Sequence, residues 1–180
     1  MQLSGEDLPV AYNIQNDPMH QVYFRQLYQY AEHNSQDPST QLAALLTDNN
    51  NGILAMECNN IPYQVKHTEE RWQRPEKYNY VEHAERNVLY KAAKAGLSTL
   101  GCTMYCPWFS CSDCARAIIQ CGITRVIGHK EYFERTPDRW NESCNIGLQM
   151  LKEAGVHCVV WSGVVGGRTS ILVDGKEFSP

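Results

Sequence analysis

A chain of 180 residues, 43% hydrophobic and 20% charged, has the make-up of one ordinary globular domain with room for a single buried core. A net charge of −4 and a pI of about 5.8 speak against a nucleic-acid partner, and no apolar run approaches the roughly 20 residues of a membrane span. The opening MQLSGEDLPV lacks the basic and apolar regions of a signal peptide, and eight cysteines in so ordinary a composition read as reduced thiols, some committed to metal, in a cytoplasmic protein.

Residues 1–17 are polar and read as an irregular arm. From Met19, MHQVYFRQLYQYAEH places Val22, Leu27, Tyr30 and Ala31 on one helical face, and QDPST ends that helix. QLAALLTDN and ILAMECN read as two strands joined by NNNG, a hairpin. Residues 60–80, with two prolines and many charges, read as a long loop whose charges from Lys66 to Lys77 face solvent. Helix and strand then alternate. A helix over 83–95 stops at Gly96; CTMYCPW is a strand, SDCARAIIQCG a helix, and TRVIGHK a strand. DRWNESCNIGLQMLKEAG is a helix, VHCVVWSG a strand, and SILVDGKEF a hairpin around Asp174-Gly175 within a C-terminal tail, 164–180. The expected architecture is a three-layer α/β/α domain over the whole chain. Its mixed sheet has five strands, antiparallel at the start and parallel toward the C-terminus.

Two stretches carry chemistry. In EHAERNVLYKAAKAG, His83 and Glu85 stand at the start of a helix; in CPWFSCSDCARAIIQCG, Cys111 and Cys114 do the same. A C-x-x-C at a helix start lets both sulfurs converge on one ion, and the helix N-terminus favours thiolates. If the two helices lie side by side with their starts level, His83 completes a three-ligand zinc site whose open fourth position marks a catalytic metal. Glu85, two positions on, points elsewhere and is placed to shuttle a proton. H-x-E followed by P-C-x-x-C is the zinc-deaminase pattern; here Ser110 stands at the proline position. A redox reading of C-S-D-C leaves His83 and Glu85 without a role.

With these motifs in place, the chain resembles the deoxycytidylate (dCMP) deaminases of the cytidine deaminase-like superfamily over roughly residues 20–160. KYNYVEHAERNVLY, GCTMYCPWFSCSDCARAIIQCGITRVI, DPSTQLAALL and CNNIP carry the likeness. The resemblance implies Zn2+ on His83, Cys111 and Cys114, with Glu85 as catalytic proton carrier in converting dCMP to dUMP and ammonia. It implies Asn59 and Asn87 near the nucleotide, Tyr132 against the base, and Trp108, Phe109 and Ser110 at the pocket. It also implies self-association into a homo-oligomer. Cys58 and Asn60 replace the tyrosine and glycine of the family's allosteric Y-N-G-x-P, and Arg86 and Val88 replace an apolar residue and an alanine around Asn87.

Plainer roles stand beside these. Asn59 is equally a turn residue, Asn87 a local hydrogen-bonder, and Tyr132 and Trp108 core aromatics. Cys58, Cys102, Cys106, Cys121, Cys144 and Cys158 form no second C-x-x-C and read as buried thiols. A nucleotide's phosphate needs cationic or N–H partners, for which Arg71 and Arg74 are the candidates. Two rival functions remain: a deaminase of another base or nucleotide (a purine, dCTP, a base in RNA), and a zinc-stabilised binding module without catalysis.

Overall fold

The structure, a computed structural model, describes residues 17–180; the arm expected over 1–17 lies outside the described residues except for Asp17. Helix α1 (Pro18–Asn34) starts where the sequence provides a cap. The Asp17 carboxylate accepts the Met19 N–H at 2.9 Å, and Pro18 takes a first-turn position where no donor is needed. Its buried face is His20, Tyr23, Phe24, Leu27, Tyr28 and Ala31, whereas Val22 is exposed and Tyr30 only half-buried. The expected stripe was therefore rotated. The face carrying the large rings turns inward because Tyr105 of the sheet receives Tyr23 and Phe24, with ring centroids 4.8 and 5.7 Å away.

Strands β1 (Ala43–Thr47) and β2 (Ile53–Cys58) pair antiparallel as the hairpin pattern requires. The Asp48 carboxylate closes the turn by accepting the Asn50 and Gly52 N–H groups, both at 2.8 Å. Strand β1 also pairs antiparallel with β3 (Thr103–Tyr105), which runs parallel to β4 (Arg125–His129), itself parallel to β5 (His157–Trp161). The sheet order β2-β1-β3-β4-β5 is the mixed five-stranded sheet expected.

Helices α3 (Ala84–Lys94), α4 (Ser112–Gln120) and α6 (Asn141–Glu153) pack side by side along one face of this sheet. Between β4 and α6 the chain forms the short α5 (Lys130–Phe133) and a 3-10 turn, Asp138–Trp140. A small hairpin of β6 (Ile171–Val173) and β7 (Lys176–Phe178) packs against α1, its Phe178 ring edge-on to Tyr28 at 6.1 Å. The loop 60–80 contains a 3-10 turn, Glu69–Trp72, and the one-turn helix α2 (Lys77–Tyr80). Lys77 corrects the expectation of a solvated surface there. It is buried, and its ammonium lies 2.6 Å from the carboxylate of the equally buried Asp37.

Candidate active site

The parallel half of the sheet places its carboxyl ends beneath the starts of the helices, the usual crevice for a site in such folds. His83 is the residue before α3 and Cys111 the residue before α4, and neither spends its side chain capping its own helix. Both side chains are thus free to face each other. The start of α4 is satisfied from outside: the Ser112 N–H donates to Ser143 Oγ of α6 at 3.1 Å. Neighbouring helices with level starts bring His83 Nδ1 to 3.5 Å from both Cys111 Sγ and Cys114 Sγ, and the three ligand atoms all lie within 4.8 Å of one another.

That spacing fits zinc. Bond lengths of about 2.3 Å to sulfur and 2.0–2.1 Å to nitrogen at a tetrahedral angle separate N from S by about 3.6 Å. Among the described residues this is the one cluster of three such ligands. Two thiols this close share a proton. The hydrogen bond from Cys114 is the largest influence bringing Cys111 down to about 4, against burial and with help from His83. Cys114, bonded to that thiolate and buried, is held well above the ordinary thiol range.

Glu85 is buried beside this cluster, and its Oε2 has no hydrogen-bond partner among the described residues. Burial pushes its carboxyl up, more than the opposing charge of His83 lowers it. Trp108 Nε1, Ser110 Oγ and the Tyr132 hydroxyl are likewise buried without a partner, so four unsatisfied polar groups come from the residues picked out for this region. Arg86, a turn beyond Glu82, is hydrogen-bonded to Glu82 at 2.6 Å and directs Nη1 to Cys114 Sγ at 3.4 Å.

His83, Glu85 and Cys111 open on a cleft of about 740 Å3, part of it open solvent. Of the residues expected at the substrate, Asn59, Trp108 and Phe109 line this cleft, whereas Asn87, Ser110 and Tyr132 do not. The Asn59 amide is fully engaged. It donates to Asp37 at 2.9 Å and to the Thr40 carbonyl at 2.7 Å, and it accepts from Ser35 Oγ and the Leu42 N–H, both at 2.9 Å. Asn87 donates to the Cys58 carbonyl at 2.8 Å and ties α3 to β2. Tyr132 backs Trp108, with centroids 6.1 Å apart.

Arg74 reaches the cleft; Arg71 instead donates to the Lys66 carbonyl at 2.7 Å and lies over the Tyr80 ring. Sequence reasoning missed Asp37, Lys77, Arg139, Trp140 and Asp174, all of which line the cleft. Trp140 packs edge-on against His83 at 5.5 Å and against Trp108 at 6.0 Å. Asp37 and Lys77 lie in stretches that carry the family resemblance and Asp174 in the expected hairpin turn, whereas Arg139 and Trp140 fall at the start of the expected helix DRWNESCNIGLQMLKEAG without a distinguishing pattern. All eight cysteines are free; burial pushes Cys144, at the cleft floor, up to about 12.

Comparison with known proteins agrees with this geometry. A family model, the cytidine and deoxycytidylate deaminase zinc-binding region, matches residues 18–130. An uncharacterized deaminase in the luxG 3' region of Aliivibrio fischeri is 36% identical over 127 residues, 71% of this chain and 82% of that protein. The human deoxycytidylate deaminase is 33% identical over 111 residues, 58% of this chain and 61% of that enzyme, so the chain spans about three fifths of its length. The crystal structure of dCMP deaminase from the cyanophage S-TIM5, in complex with dCMP and dUMP, superposes with a TM-score of 0.62 at 23% identity. It covers 81% of this chain and 98% of the phage protein and shares the fold. With a histidine, two cysteines and an unligated glutamate at paired helix starts, the chain belongs to the cytidine and deoxycytidylate deaminase zinc-binding family.

Proposed function

We propose that this protein is a hydrolytic deaminase of a free cytosine nucleotide, converting dCMP and water to dUMP and ammonia. The observation that carries this reading is Glu85: a buried carboxyl with an unpartnered oxygen beside three converging zinc ligands, at the floor of an aromatic-walled cleft. His83, Cys111 and Cys114 would hold the zinc, which when bound supplies Lewis-acid activation of the attacking water. Glu85 takes the proton that water gives up as its oxygen bonds to C4, and passes it to N3 of the ring. It then takes the remaining proton of the hydroxyl added at C4 and delivers it to the amino nitrogen, so that the C4–N bond breaks, the C4 carbonyl forms and ammonia leaves. Burial suits Glu85 to this relay, because a carboxyl pushed above its usual range holds and releases a proton nearer neutral pH.

Trp140, Trp108 and Phe109 shape an apolar slot for a flat ring and keep out bulk water, with Tyr132 and Ser110 behind. Asn59 and Asn87 contribute by fixing the cleft wall, through the bonds described above. No helix among the described residues is long and apolar enough to cross a membrane. Free thiols throughout suit a reducing, cytoplasmic setting, and we read the chain as a single deaminase domain that self-associates.

The test is direct. Zinc-loaded protein is given dCMP, deoxycytidine, dCTP, guanine and tRNA in parallel, and ammonia and the deaminated product are measured. Formation of dUMP fastest of all is the expected result. Turnover of none of the cytosine compounds overturns the reading, and a preference for guanine or tRNA reassigns the substrate.

A further inference from the structure

The mouth of the cleft holds a charge arrangement that the deamination chemistry itself does not call for. Asp174 sits at the tip of the β6–β7 hairpin, where its φ of +51° and the +77° of Gly175 make the two-residue turn that Asp-Gly favours. Two guanidinium groups from distant segments grip its carboxylate. Arg74 donates to Oδ1 at 2.6 Å, and Arg139 donates to Oδ1 at 2.5 Å and to Oδ2 at 3.2 Å. Arg139 Nε also donates to the Tyr78 hydroxyl at 3.1 Å.

All three charged residues line the same cleft as His83 and Glu85. The Tyr78 ring meets Trp140 at 5.7 Å, and Trp140 meets His83 at 5.5 Å. Arg139 is therefore linked to His83 through the Tyr78 and Trp140 rings along the wall of the cleft that Arg74 also lines, which puts both guanidinium groups and the proposed metal ligand in one cleft.

Two guanidinium groups against one carboxylate leave a surplus positive charge. A guanidinium fork fits phosphate as well as carboxylate, and a phosphate monoester brings a charge of roughly −1.5 to −2 and three acceptor oxygens. Phosphate thus neutralises this pair more completely than Asp174 does. The exchange is open to solutes, since the side chains of Arg74, Arg139 and Asp174 are 39, 37 and 32% exposed. The hairpin tip itself is held by few other bonds, from Gly175 N–H to the Ser39 carbonyl at 2.7 Å and from Asp174 N–H to Thr40 Oγ1 at 3.2 Å.

We propose that Arg74 and Arg139 form the subsite for the substrate's phosphate, and that Asp174 is a built-in occupant which the phosphate displaces. The phosphate part of this proposal rests on the nucleotide-deaminase reading above. Asp174 then sets specificity. A nucleoside without phosphate leaves the carboxylate seated across the cleft mouth, whereas a nucleotide exchanges with it and moves the hairpin tip aside.

Calorimetric titration of inorganic phosphate into the zinc-loaded 180-residue chain reads the subsite without turnover. Asp174→Asn keeps a residue at ease in the left-handed turn but removes the charge, and Asp174→Gly removes the competing group altogether. Both variants are expected to bind phosphate about tenfold more tightly than wild type, and Arg139→Gln about tenfold more weakly. The KM for dCMP is expected to move in the same direction in each variant. Asp174 variants that bind phosphate no more tightly than wild type overturn the built-in occupant. An Arg139→Gln protein with wild-type phosphate affinity overturns the subsite. Loss of the nucleotide-deaminase reading shows separately, as absence of ammonia from dCMP and deoxycytidine alike in the wild type, and the phosphate titrations still decide the clamp.

Discussion

Glu85 and Arg86 are adjacent in sequence, yet their side chains have different partners beside the proposed zinc ligands. Glu85 offers the cleft a buried oxygen with no partner, so its replacement by glutamine preserves shape and removes only the exchangeable proton. Glu85→Gln is expected to lower kcat by about 10²–10⁴ while zinc content, measured by elemental analysis, stays at the wild-type level. Loss of zinc in that variant would make Glu85 a ligand; retention of turnover would remove it from the chemistry. Arg86 is held by Glu82 while it donates to Cys114 Sγ at 3.4 Å. A positive group there would share the negative charge that Cys114 takes on when its proton gives way to zinc, and it fixes the sulfur's direction. Outer contacts of this kind commonly contribute 10–100-fold to metal affinity, and Arg86→Leu is expected to weaken zinc binding by about that factor in a chelator competition. Wild-type affinity in that variant would reduce the contact to surface packing.

Helix α6 contributes none of the three proposed ligands, yet it braces the start of α4, where two of them stand. A Cβ on Gly147 would lie 2.3 Å from the Ser110 carbonyl oxygen and 3.0 Å from the Cys111 carbonyl. One turn earlier, Ser143 accepts the Ser112 N–H. Gly147→Ala must push that backbone away, at a cost of about 1–3 kcal/mol. Its expected signature is a lower unfolding midpoint together with weaker zinc binding; unchanged zinc affinity would mean that the loop yields without moving the sulfurs. Neither Gly147 nor Ser143 stands out in NESCNIG, and this marks the boundary of what the sequence discloses. His83, Glu85, Cys111 and Cys114 were readable because their spacing is local: two helix starts, one strand apart, dictate how they meet. The sheet order followed from a hairpin and then strand–helix alternation. Asp37 with Lys77, and Arg74 and Arg139 with Asp174, join positions separated by 40, 100 and 35 residues, and no local period encodes such pairings. The same reason rotated the expected face of α1. Helical spacing admits more than one stripe there, and the choice is made by Tyr105, a residue of the sheet.

Two properties of the molecule as a unit follow from groups that tie its layers together. His129, on β4, accepts the Tyr28 hydroxyl of α1 on Nδ1 at 2.7 Å; its Nε2–H donates to the Gly163 carbonyl at 3.0 Å, with the Glu131 carboxylate 2.9 Å from that nitrogen. A carbonyl can only accept, so Nε2 carries a proton, and when the ring is neutral Nδ1 accepts from Tyr28. Burial lowers its pKa, opposed by Gly163 and Glu131, and burial likewise lowers that of His20. Both fall below the unfolded value of 6.5, so below that pH the unfolded chain binds more protons than the folded one, and stability declines as pH falls from about 6.5 toward the folded pKa values. The urea midpoint is expected to drop between pH 7 and pH 5, and His129→Gln to flatten that slope; an equal slope in the variant would assign the loss to other groups. Zinc acts on the whole fold in the opposite sense. An ion that binds the folded chain alone stabilises it by about 2.7 kcal/mol at a hundredfold excess over its Kd. For a domain of this length that corresponds to a rise in Tm of roughly 5–11 °C. The wild type and Glu85→Gln are both expected to show this rise on going from chelator to zinc, because the cluster that could hold the metal is His83, Cys111 and Cys114. Cys111→Ser, which removes one of three ligands, is expected to lose most of it along with turnover. The pair of variants thus divides the site into the part that grips the ion and the part that moves the proton, and a Cys111→Ser protein with the full thermal shift would show that the zinc is held elsewhere.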